Sequence, residues 1–281
     1  MKHFKPISAA FLIKLLISLV SFGATAQTMS QFYYEESAAL HWQQRYAAAP
    51  SGSWEENQAR SQRDQAIERA ISSVNLYSTF RGMQWQQVEG IADQLNQKYN
   101  SAPSGSAIER MYRQVRDTSY QAFHQALQEY VRQFGHDWRQ LHNIALELDQ
   151  KYNSAPSGSQ KERAYDQARR QAYQMIPQAV DQEVNRMWDF REIERHGDYF
   201  NSLYNSAPSG SLKETVYNQV RRSVLNQAFS KFSSQAYSLP QQQLWQIQDE
   251  YNRRYNGAPR GSLLETYYRQ VRDHARSLIR S

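Results

Sequence analysis

The chain has no cysteine among its 281 residues. That removes disulfides, thiolate metal sites and cysteine nucleophiles together. Only residues 9–22 approach an unbroken apolar run, and Lys14 interrupts even that one. There is no His-Glu-x-x-His, no His pair at i, i+4, no Gly-x-Ser-x-Gly and no glycine-rich phosphate loop. No motif therefore points to a metal, a cofactor or a catalytic residue. A strong excess of one charge is also missing. Of the 33 Lys and Arg, three (Lys2, Lys5 and Lys14) precede residue 27, where no acid stands, so 30 remain against 27 acids. A near-balanced chain lacks the basic footprint of a nucleic-acid binder.

The N-terminus reads as an export leader. A basic start, the apolar stretch and Ala24-Thr25-Ala26 match a secretory signal peptide, residues 1–26, cleaved before Gln27. The apolar part is shorter than the ~20 residues of a membrane span, and no other segment is apolar enough. The expectation is a bacterial periplasmic or extracellular protein with no membrane span after cleavage. Without disulfides, such a chain must be held by packing, and residues 27–281 are enough for one domain.

What is present is repetition. Ala-Pro-(Ser/Arg)-Gly-Ser occurs five times, with prolines at 50, 103, 156, 208 and 259, spaced 53, 53, 52 and 51. Counting from the Ala of each phrase, positions −17, −14, −11, −7 and −3 carry Trp85, Val88, Ile91, Leu95 and Tyr99 in the second copy. The third has Trp138, Leu141, Ile144, Leu148 and Tyr152. The fourth has Phe190, Ile193, His196, Phe200 and Tyr204. Steps of 3, 3, 4 and 4 trace one face of a helix of about 17 residues. Asn after the last Tyr is expected to close this helix in the left-handed conformation, with Pro beyond it.

Ser at +4 and Glu at +7 recur in every copy as Ser53/Glu56, Ser106/Glu109, Ser159/Glu162, Ser211/Glu214 and Ser262/Glu265. Ser-x-x-Glu predicts a capping box opening a second helix, whose apolar stripe runs at +10, +13, +17 and +21. These second helices are expected to run 20–28 residues, with Gly82 and Gly135 marking turns back. Pro177 should kink or end the third of them, and Ser238-Leu239-Pro240 should open the last hairpin.

The predicted fold is all-α: ten helices in tandem hairpin repeats, approximately 30–79, 80–135, 136–186, 187–238 and 239–281. They stack as an α-solenoid or an elongated helical bundle, because one hairpin cannot bury both its stripes. Known helical repeats have periods of about 34 or about 40–47 residues; this pattern resembles α-solenoids only in general.

Three recurrent residue types are candidates for function. Tyr46, Tyr99, Tyr152, Tyr204 and Tyr255 at −3 could stack a sugar or a peptide, or pack under the loop. Arg63, Arg116, Arg169, Arg221 and Arg272 at +14 read as structural forks onto loop carbonyls or a neighbouring repeat's carboxylate. Glu56, Glu109, Glu162, Glu214 and Glu265 read as caps. His196 occupies an otherwise apolar stripe position. The leading expectation is a non-enzymatic binding or structural module whose partner is a protein or a cell-envelope polymer. It would be a monomer or weak homodimer, self-associating through its C-terminal hairpin. The alternative is a hydrolase-like envelope enzyme around His196 with Glu192, Glu194 and Asp198. A pocket lined by unique residues would favour an enzyme; a groove lined by equivalent positions would favour binding.

Overall fold

The computed structural model describes the backbone of residues 9–76 and 78–280, and the side chains of 29–76 and 78–279. The first eight residues of the expected leader lie outside the described residues, as do the side chains up to Thr28. Among the described residues the chain is all-helical, with ten helices and no strand. In chain order they are α1 (Ala9–Ala48), α2 (Trp54–Ser73), α3 (Trp85–Ser101), α4 (Ala107–Gln133), α5 (Trp138–Ser154), α6 (Gln160–Val184), α7 (Phe190–Ser206), α8 (Leu212–Ala236), α9 (Gln241–Gly257) and α10 (Leu263–Arg280). No helix among the described residues is long and apolar enough to cross a membrane.

Two compact units are distinguishable. One reaches to Tyr130 and includes Ala155–Tyr165; the other comprises Val131–Ser154 and Asp166–Ser281. In the first, α1 packs on α2, and the buried stripe runs through Phe32, Trp85, Val88 and Leu95. In the second, α7 packs on α8, and α10 packs on both α9 and α8. There the stripe runs through Trp138, Leu141, Ile144, Leu148, Phe190, Ile193 and Phe200. Gly197 lets α7 approach α8: a Cβ there would lie 2.5 Å from Leu225 Cδ2. Ala39, Ala92 and Ala145 hold the same position in earlier copies.

The helices α3, α5, α7 and α9 are each 17 residues long, the length the stripe predicts. Their ends correct the expected mechanism. No residue other than glycine has a positive φ among the described residues, and the helices continue through the Asn. They stop where Ala102, Ala207 and Ala258 turn extended, with ψ of 145, 142 and 145°. The following proline's ring disfavours the helical region for the residue before it, so the stop signal is Pro acting on Ala.

The Ser-Gly turn then sets up the next helix. Each loop glycine has a φ between +74 and +78°, a region that side-chain-bearing residues rarely adopt. The Ser N–H closes the turn onto the Pro carbonyl at 3.0–3.1 Å in every copy. Each Ser Oγ accepts from the Glu N–H at 3.0–3.1 Å. The Glu carboxylate does not return to the Ser N–H, as a capping box requires. It accepts instead from the glycine N–H, because the Ser donor is already spent on the turn.

Losing this cap costs about 1 kcal/mol. Ser159→Ala is expected to lower the melting temperature measurably. Ser157→Ala, two residues earlier on the exposed turn, should stay within about 0.5 kcal/mol of wild type. Equal losses in thermal melts would misplace the helix start.

Of the two outcomes expected at Pro177, a kink or an early end, the early end does not occur: α6 continues to Val184. One further expectation changes. Ser238 caps nothing: α9 starts from Pro240 without a side-chain cap, while Ser238 Oγ donates to the Gln235 carbonyl at 2.8 Å.

Candidate functional site

The recurrent Arg and Tyr meet. In every copy the +14 guanidinium lies over the −3 ring of its own hairpin. The distances to the centroid are 4.8 Å for Arg63 on Tyr46, 4.0 Å for Arg116 on Tyr99, 3.9 Å for Arg169 on Tyr152, 3.4 Å for Arg221 on Tyr204 and 4.4 Å for Arg272 on Tyr255. One face of each half-buried Tyr is thereby covered.

The guanidinium is fixed on its own hairpin, not on loop carbonyls. Its Nε donates to Asp64, Asp117 or Asp273 at +15, or to Asp166 or Asn218 at +11. Where the acceptor stands at +15, an Arg fills +11, and where it stands at +11, an Arg fills +15. Moving the acceptor thus keeps an oxygen against the fork and a cation beside it. Nη1 reaches position −6 as well, at Gln43 (3.1 Å), Asp149 (3.0 Å) and Asn201 (2.7 Å).

A second set of contacts, absent from the sequence reading, ties each copy to the next. Position −13 carries Glu36, Glu89, His142 and Glu194. Tyr112 hydrogen-bonds Glu36, Tyr165 donates to Glu89, and Tyr217 Oη lies 2.9 Å from His142 Nε2. All three tyrosines are the +10 residue of the following copy. A cation of that copy joins where a carboxylate is present: Lys98 on Glu36 at 2.6 Å, Lys161 on Glu89 at 2.7 Å and Arg254 on Glu194 at 2.6 Å. Glu194 takes its tyrosine from −7, Tyr251, while Tyr268 Oη reaches Asp198 at 3.4 Å. Burial pushes the Glu194 carboxyl up to about 7, against the pull of Tyr251 and Arg254. The fifth copy has Trp245 at −13, exposed.

His142 lines a cleft between α5 and α7. Its volume is about 350 Å³, and it is lined by Trp138, Arg139, His142, Asn143, Arg195, His196 and Tyr199. Ligand pockets commonly span about 300–1,000 Å³. Trp138 is buried, with Phe200 5.0 Å and Tyr199 5.6 Å away between centroids. Tyr199 remains 43% exposed. At the edge, Glu183 accepts from Trp138 Nε1 (2.8 Å) and from both Arg139 terminal nitrogens (2.8 and 2.9 Å). His196 Nε2 lies 3.2 Å from the same carboxylate, and its Nδ1 lies 3.1 Å from the Glu192 carbonyl. Burial alone would raise the Glu183 pKa, but Arg139 and His196 hold it below the ordinary carboxylate value. Burial, reinforced by the Lys213 charge, pushes His142 down, so its imidazole is neutral at neutral pH.

Of the residues grouped around His196 in the sequence, Glu192 meets it only through its backbone carbonyl. Glu194 and Asp198 turn to Tyr251, Arg254 and Tyr268, away from the cleft. Trp138, Arg139, Asn143, Arg195 and Tyr199 were not singled out as site residues. Trp138 and Arg139 recur as Trp85 and Arg191 and carry no such signal. For Tyr199 and His142 the available signal is failure to repeat, since −8 is Tyr only in the fourth copy and −13 is His only in the third. No family model, curated protein or solved structure matches this chain.

Proposed function

We propose that the chain is exported by residues 1–26 and acts in the bacterial envelope or exterior as a non-enzymatic helical-repeat binding module. Its ligand, a cell-envelope polymer or a protein, enters the α5/α7 cleft. The observation that carries this reading is that the cleft is lined where the copies differ. His142 stands where Glu36, Glu89 and Glu194 latch, His196 where Ile91, Ile144 and Ile247 line the apolar stripe, and Tyr199 where the other copies carry the polar His41, Gln94, Glu147 and Glu250. The Glu194 junction changes its tyrosine but keeps its carboxylate, whereas at His142 the carboxylate itself is exchanged for an imidazole.

A cleft lined by unique residues is also what the hydrolase alternative needs. Against it stands the engagement of the groups such chemistry would use. His196 has both ring nitrogens in contact, His142 Nε2 meets Tyr217, and Glu183 is held by three partners. A general base must be free to reach substrate. Near-balanced charge supports a partner other than nucleic acid, and exposed Trp245 supports weak self-association through the C-terminal hairpin.

The test is capture from the native envelope fraction by the chain lacking residues 1–26, with and without Tyr199→Ala. Loss of the captured species with unchanged helical circular dichroism is expected. Equal capture by both proteins would remove the cleft from the function.

A further inference from the structure

We propose that the α5/α7 cleft takes an acidic sugar, its ring lying on Tyr199 and its carboxylate on Arg195. This rests on the binding reading above and names the ligand class. Two guanidinium groups, of Arg139 and Arg195, line the cleft. Glu183 pairs with Arg139 through two hydrogen bonds. Arg195 is exposed and makes no ion pair or hydrogen bond among the described residues. A planar guanidinium left open in a cleft matches a carboxylate in a two-point contact.

The wall opposite contributes no carboxylate to the lining, and Glu183 at the edge is taken up by Arg139 and His196. Around Glu89 stand Lys161 and Tyr165, at +6 and +10 of the following copy. Lys213 and Tyr217 hold those same two positions near His142. The partners that would support a glutamate are therefore in place, yet the chain carries a neutral imidazole, and Lys213 turns to Asp149 at 2.8 Å. A glutamate at 142 would fit the repeat and repel an anion in the cleft. The imidazole leaves the cleft with Arg195 as its uncompensated charge.

The remaining lining suits a sugar ring. Tyr199 is braced edge-on by Phe200 at 5.4 Å and stays 43% exposed, a flat apolar surface for one face of a pyranose. Asn143 is exposed and has no hydrogen-bond partner among the described residues. Its amide donates and accepts, as ring hydroxyls require.

Isothermal titration of the chain lacking residues 1–26 with D-glucuronate, D-glucose and tri-galacturonate tests this. Glucuronate is expected to bind at least tenfold more tightly than glucose. Tighter binding of tri-galacturonate than of glucuronate would place the sugar within a polymer; no gain would place it as a free acid. Arg195→Gln should weaken glucuronate at least tenfold and leave glucose unchanged, with circular dichroism intact. His142→Glu should do the same. Equal binding of glucose and glucuronate, no effect of Arg195→Gln, or binding of neither sugar would overturn the proposal. If glucuronate fails while envelope capture still depends on Tyr199, the ligand class is wrong and the cleft stands. If capture is also indifferent to Tyr199, both fall.

Discussion

Asp149→Ala is expected to destabilise the chain by about 3–5 kcal/mol, the usual cost of removing one partner from a buried ion pair. Asp149 is 8% exposed and accepts from Arg169 Nη1 at 3.0 Å, Tyr173 Oη at 2.7 Å and Lys213 Nζ at 2.8 Å. Burial alone would raise its pKa, but these three donors hold it below the ordinary value. Truncation leaves Lys213 Nζ, the buried Tyr173 hydroxyl and Arg169 Nη1 without this acceptor, while Asp166 still holds the rest of the Arg169 fork. It also cuts two links at once, since Arg169 belongs to the same hairpin and Lys213 to the following one. Denaturant unfolding should show the loss. Asp149→Asn should recover part of it, keeping an acceptor oxygen without the charge. A loss below about 1 kcal/mol for Asp149→Ala would show that the network is not coupled to folding.

The second large effect is a dependence on pH centred on Glu194. Its carboxyl is 2% exposed, and its pKa is pushed by burial from 4.5 to about 7. The folded chain therefore binds a proton there that the unfolded chain releases. The contribution is fully present below pH 4.5 and is lost as pH rises through 7. The shift corresponds to roughly 3 kcal/mol. Asp198 is also raised, by burial first, and adds in the same direction. His142 acts oppositely: its lowered pKa gives a contribution present above 6.5 and lost on acidification. The difference between wild type and Glu194→Gln isolates the carboxyl, since the amide still accepts from Tyr251 without titrating. Wild type should lose stability relative to Glu194→Gln between pH 5 and pH 8 in parallel urea titrations. A constant difference across that range would mean Glu194 is ionised throughout, as its contacts with Arg254 and Tyr251 would favour.

What could be read in the sequence was whatever repeats within one hairpin. Helix length, the Ser cap and the apolar stripes are local and periodic, so spacing alone places them. Local details resolved differently where two groups competed for one donor or one bond. Glu56 and its equivalents bind the glycine N–H because the turn has taken the serine's, and Ala before Pro stops the helix before Asn can. The Arg–Tyr stack could have been inferred, since two residues that recur at constant offsets on both sides of one loop face each other. The latch was hidden for a different reason. Glu89 and Tyr165 are 76 residues apart, and only the register between hairpins brings them together. The cleft was hidden because repetition draws attention to what is constant, while His142 and Tyr199 signify by departing from it. His196 was noticed, but its partner Glu183 comes from the preceding helix.

On the proposed function, the departures at His142, His196 and Tyr199 serve a ligand and not the fold. The most direct test of this restores the repeat, grafting Glu89, Ile91 and Gln94 of the second copy onto their equivalents as His142→Glu, His196→Ile and Tyr199→Gln. The triple variant is expected to be as helical as wild type and at least as stable in thermal melts, because Lys213 and Tyr217 stand where the partners of Glu89 do, yet unable to capture its ligand from the envelope fraction. A variant that captures as wild type does, or one that unfolds, would contradict it.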